Sequence, residues 1–204
     1  MKKFCLFTFI GFIAFFMMVV IAVCFSSKKD KAKVEAIQNA ISEIPKDKLI
    51  LSALDSLKGM NLDSIRTASD KGPAADVYTL QFFESLAIVH KSDSLKQVSD
   101  AAGKLYQHVS ALKRKNFPID RKQYAENLSK IYWENNIEVA ASGSGNTIIT
   151  FTGGSLANNA NKKTVFEGVK EGLELLRFKQ ARFKWYSGDD EYTYWDIDSP
   201  KDNE

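Results

Sequence analysis

Residues 4–25, FCLFTFIGFIAFFMMVVIAVCF, carry no charge, and Thr8 is their only polar side chain. As a helix rising 1.5 Å per residue, such a run covers about 30 Å, the thickness of a bilayer's hydrocarbon core. The apolar region of a cleavable export signal is shorter, about 7–15 residues. The nearest small-x-small cleavage patterns, Ala22-Val23-Cys24 and Cys24-Phe25-Ser26, are poor, and Val23 is too bulky for the site before a lipid-modified cysteine. The expectation is therefore an uncleaved transmembrane signal anchor over residues 1–27, with membrane lipid as its partner. Lys2 and Lys3 on one flank nearly balance Lys28, Lys29, Lys31 and Lys33 on the other, so loop charge alone does not set the orientation. The very short tail and Met-Lys-Lys start point to an extracytoplasmic soluble part.

Both cysteines, Cys5 and Cys24, fall inside the apolar run. The remainder therefore forms no internal disulfide and no thiolate zinc site. Setting Lys2 and Lys3 aside, the 28 Lys and Arg residues become 26, against 25 Asp and Glu. That balance lacks the basic footprint that nucleic acid requires, and no nucleic-acid partner is expected.

Residues 28–134 read as a helical region. Val34, Ile37, Ile41 and Ile44 form a narrow seam able to pair two copies, ended by Pro45. Leu49, Ile50, Ala53, Leu54 and Leu57 mark a second helix that stops at Gly59. A connection anchored by Leu62 and Ile65 leads to a broadly apolar helix over residues 74–90, suited to the centre of a bundle. Leu95, Val98, Ala102, Leu105, Val109 and Leu112 then keep 3–4 spacing. Pro118 is expected to break that helix, with Asp120 and Gln123 capping a new one whose Tyr124, Leu128, Ile131 and Tyr132 face inward.

Near Asn135-Asn136 the period changes from about 3.6 to 2. IEVAAS and TIITFTG flank Gly143-Ser144-Gly145-Asn146, a hairpin signal. Thr164 and Glu167 have the spacing of a helix start, followed by buried Val165, Phe166, Val169, Leu173 and Leu176. Gly168 and Gly172 offer a surface for close approach. A second hairpin turns at Ser187-Gly188-Asp189-Asp190. The fold class is thus α+β: a transmembrane helix, a helical region, and a ββαββ layer over residues 135–198 with its helix on one sheet face, then a polar tail at 199–204.

No catalytic, cofactor or metal residue emerges. His90 and His108 stand without a nucleophile or carboxylate at catalytic spacing. The acids Asp189, Asp190, Glu191, Asp196 and Asp198 lack the D-x-D-x-D-G spacing of a calcium loop and suit a tight turn instead. SGSGN lies between strands, without the helix start and lysine of a phosphate loop. Two contact surfaces remain. Lys113, Arg114, Lys115, Arg121 and Lys122 cluster at the expected helix break, as a solvated loop or a lipid-surface contact. In the second hairpin Ala181, Phe183 and Trp185 share one face and Arg182, Lys184 and Tyr186 the other, while Tyr192, Tyr194 and Trp195 make the partner strand aromatic on both sides. Arg182, Lys184, Tyr186, Tyr194 and Trp195 are the candidate partner or ligand contacts.

A Met-Lys-Lys start, one anchor, a helical region and a small α+β end form a layout common among bacterial envelope proteins. The expected function is that of a single-pass, non-enzymatic membrane protein whose soluble part binds a protein or itself. The alternative is a glycan, lipid or small-molecule module using the aromatic hairpin.

Overall fold

The change of hydrophobic period near Asn135 separates helices from strands in the computed structural model, which describes residues 44–66, 72–157 and 161–198. Helices α1 (Lys46–Gly59), α2 (Leu62–Ile65), α3 (Ala75–Lys91) and α4 (Lys96–Tyr132) come first. Strands β1 (Ile137–Ser142) and β2 (Ile148–Gly153), helix α5 (Asn161–Leu175), and strands β3 (Gln180–Gly188) and β4 (Glu191–Asp198) follow. The protein is α+β. The expected anchor, the seam residues Val34, Ile37 and Ile41, and the polar tail lie outside the described residues. Among the described residues no helix is long and apolar enough to cross a membrane.

The chain divides into two units, each drawn from separate stretches: residues 44–60 with Phe83–Val109, and Asn61–Phe82 with residues 110–198. In the first, the spacing of Ile50, Ala53, Leu54 and Leu57 puts all four on one buried face of α1. Asp47 in its first turn and Lys58 in its last match the helix dipole. The α4 seam buries Val98, Ala102, Leu105 and Val109, but Leu95 is 62% exposed. It sits just before the helix, where its carbonyl accepts from the amides of Val98 and Ser99. The last turn of α3 also departs from the all-round burial expected, with Ile88 54% and Val89 73% exposed. His90 and Lys46 each lie 3.8 Å from Asp93, and the Lys91 ammonium sits 4.4 Å above the Tyr106 ring.

In the second unit, α4 runs through Pro118 without the expected break. An interior proline costs about 3 kcal/mol, through a lost hydrogen bond and a ring clash. Side chains on both sides of it are held in place. Arg66, just after α2, donates from Nη2 to Asn116 Oδ1 at 2.7 Å and from Nε to Asp76 at 3.2 Å. The same Nε lies 2.7 Å from Asp120. The Asn146 amide donates to the Pro118 carbonyl at 2.8 Å. Arg121 donates to the carbonyls of Leu176, Gly145 and Arg177 at 2.7, 3.0 and 3.0 Å. These long-range bonds hold the helix together where local sequence would end it. Asp120 is consequently no cap but a buried helix-interior residue, 2% exposed.

The sheet order is β1-β2-β3-β4. Both hairpins pair antiparallel, while β2 and β3 are parallel because α5 carries the chain back between them. Helix α5 starts at Asn161, a turn before the Thr164 start expected from sequence. It ends with Arg177 left-handed at φ 53° and the Phe178 amide bonded to Leu173 O, which satisfies a terminal carbonyl. Its apolar stripe of Val165, Val169 and Leu173 is buried, and Phe166 meets Phe183 and Trp195 edge-on at 6.2 and 5.8 Å. Phe151 and Phe183 stack at 4.9 Å across the parallel pair. Two glycines make this closeness possible. A Cβ on Gly172 would strike the Tyr124 phenol of α4, and one on Gly153 would come within 2.6 Å of the fully buried Trp185 ring.

Candidate binding face of the sheet

Strand alternation sends every second side chain away from α5. The register aligns Glu138, Thr152, Lys184 and Tyr194 in one row across all four strands, and Ala140, Thr150, Arg182 and Asp196 in the next. Ser142, Ile148, Gln180 and Asp198 form a third, and Tyr186 faces Tyr192 at the hairpin end. On β1 and β4 these side chains are exposed, and on β2 and β3 they are half-buried by their neighbours. Tyr194 is 62% exposed. The opposite face is the covered one, with Ile149, Phe151, Phe183 and Trp185 buried.

On β3 and β4 the polar groups of the open face are tied to one another. Arg182 grips Asp196 in a fork, Nε and Nη2 both within 3.2 Å of its carboxylate, and Nη2 also reaches Gln180 Oε1 at 3.1 Å. Those hydrogen bonds and the Asp196 charge hold the guanidinium proton more firmly than usual. Gln180 donates on to Asp198 at 3.0 Å. The Lys184 ammonium lies 4.1 Å over the Tyr192 ring, and Tyr186 meets that ring edge-on at 5.8 Å. This lattice spares its side chains much of the ordering cost that a partner would otherwise impose.

Four of the five expected contacts, Arg182, Lys184, Tyr186 and Tyr194, do share this face. Trp195 does not. It pairs with Phe183 on the covered face, ring centroids 5.1 Å apart, and packs beneath Phe166. The cause is the turn. Asp189 and Asp190 alone occupy it, with φ of 47° and 62°, the two left-handed residues of a type I′ turn. A bulge between Tyr186 and Gly188 then shifts the register by one, which sends alternate side chains to the other face. Glu138, Thr150, Thr152, Gln180, Tyr192 and Asp196 join the face and are not among the contacts expected from sequence. Alternation within β1 and β2 is the signal that finds the first three.

The basic cluster is split. Arg114, Lys115 and Lys122 are exposed, but Lys113 and Arg121 are buried. Lys113 donates to Gln81 at 3.1 Å and lies 5.5 Å from the Phe117 ring, while Arg121 spends its donors on three carbonyls. Neither is a surface contact, because α4 continues as a helix and turns both inward. His90 belongs to the Asp93 pair already described, and the turn acids serve the hairpin, with Asp196 and Asp198 engaged on the open face.

Two grooves stand out among the described residues. One is lined by Glu126, Ser129, Lys130, Trp133 and Val139, the other by Ile44, Lys46, Leu95 and Val98 with their neighbours. Both are open rather than enclosed, and neither lies on the sheet's exposed face. The chain matches no protein-family model, no curated protein and no solved structure.

Proposed function

We propose that this is a single-pass membrane protein, anchored by residues 4–25, whose soluble part is a non-enzymatic interaction module acting through the open sheet face. The observation that carries the reading is the asymmetry of the sheet. Three rows of mostly polar side chains, with Tyr192 and Tyr194 exposed, carry a pre-arranged set of pairs on β3 and β4, while the core of the other face is buried. Tyrosine and arginine on a rigid scaffold are the residue types that dominate protein contacts. An extended face of this kind suits a protein surface better than a small molecule, which favours an enclosed cleft. The extracytoplasmic side of an envelope membrane remains the location proposed for the module.

The test is site-specific photocrosslinking of the full chain in its native membrane. A photoreactive residue at Tyr194 is expected to capture a partner that the same residue at Trp195 does not, and Arg182→Glu is expected to reduce that capture at least tenfold. Equal labelling from both positions would overturn the reading. The glycan alternative draws on exposed Tyr194 in line with Thr152 and Lys184. It predicts saturable binding of envelope glycans that Tyr194→Ala abolishes.

A further inference from the structure

Arg66 faces more negative charge than it can neutralise. Asp76 and Asp120 are 0% and 2% exposed, so among the described residues two carboxyls and one guanidinium leave one surplus negative charge out of water. Asp63 also contacts Arg66, at 2.9 Å, but its side chain is 80% exposed and needs no burial partner. The single Nε–H of Arg66 points at Asp76. Its 2.7 Å approach to Asp120 is therefore an ionic contact, and both Asp120 oxygens and Asp76 Oδ1 accept no hydrogen bond. An uncompensated buried charge is strongly unfavourable, and a proton removes it. We propose that Arg66, Asp76 and Asp120 form a proton-loaded latch: a proton held on Asp120 lets Arg66 tie residues 61–66 to α3 and α4, and its loss loosens that tie.

Burial raises the Asp120 carboxyl from 3.8 to about 7, with the Asp76 charge adding to the rise and Arg66 opposing it. For Arg66, burial works against the charge and Asp120 and Asp76 outweigh it, so the guanidinium stays charged throughout. Among the described residues the charged groups facing Asp120 are Arg66, from the α2 end, and Asp76 from α3; Asp63 pairs with Arg66, and neutral Asn116 on α4 accepts from its Nη2. The folded state keeps a proton that the unfolded chain releases above pH about 4. The latch is fully closed below that pH, weakens as pH rises through about 7, and changes little beyond. Nothing in this device depends on the binding reading above.

Hydrogen exchange of the full chain in detergent micelles tests it, after correction for intrinsic exchange rates. Amides of residues 62–66 are expected to open at least about tenfold more often near pH 8.5 than near pH 5.5, while those of α1 keep their protection. Asp120→Asn, which is neutral at every pH and nearly the same shape, is expected to cut that ratio below about threefold. A flat profile in the unaltered protein would sink the latch, as would an Asp120→Asn profile matching it. Asp76→Asn gives the same discrimination if the first variant fails to fold, and the unaltered protein's profile decides alone if both fail.

Discussion

The two faces of the four-stranded sheet are woven from the same strands, residue by alternate residue, yet they are held together by different physics. The covered face relies on shape: Phe151 on Phe183, Trp185 over Gly153, Phe166 edge-on to Trp195, with area removed from water supplying the stability. The open face relies on pairing: Arg182 to Asp196, Gln180 to Asp198, Lys184 over Tyr192, all beside water that competes for every contact. Neighbouring residues of β4 therefore have opposite jobs. Trp195 packs into the covered face, and Tyr194 stands exposed on the open one.

Substitutions can break that contrast or sharpen it. The largest loss is expected from Phe183→Ala, about 3–5 kcal/mol in chemical denaturation, since the ring is fully buried between Phe151 and Trp195. Gly172→Ala is next, at about 1–3 kcal/mol, because the new methyl must displace the Tyr124 phenol and push α5 from α4. Arg182→Ala is expected to shift the denaturation midpoint less than Gly172→Ala does, with a smaller difference from the unaltered protein at high salt. Tyr194→Ala closes the series with a stability change within about 0.5 kcal/mol and, by contrast, a loss of partner affinity of about thirtyfold in a binding titration. A Tyr194→Ala protein as unstable as Phe183→Ala would mean that the two faces are not divided as described.

Much of this architecture is legible from sequence where a short-range rule decides it. The period change at Asn135 and the alternation of Ala181, Phe183 and Trp185 each depend on residues a few positions apart. What escapes such rules depends on distance or on counting. Pro118 signals a helix end only when Arg66 and Arg121 are left out, and Arg66 joins α4 through a partner 50 residues away at Asn116. Closing the second hairpin on a four-residue turn would set Arg182 opposite Trp195. The two-residue turn with its bulge sets it opposite Asp196, and the candidate site loses its tryptophan. The Asp76–Asp120 pair has no local signature at all, since an interior helix aspartate looks like any solvated one until tertiary contacts bury it.

Among the described residues strand β4 ends the sheet, and its outer backbone groups form a template on which another chain could lay a strand. Glu191, Asp196 and Asp198 make that rim acidic, so two copies approaching side by side meet repulsion before their amides can align. Neutral residues at those three positions would remove this guard, and edge-to-edge stacking into ribbons becomes the expected fate of a concentrated sample.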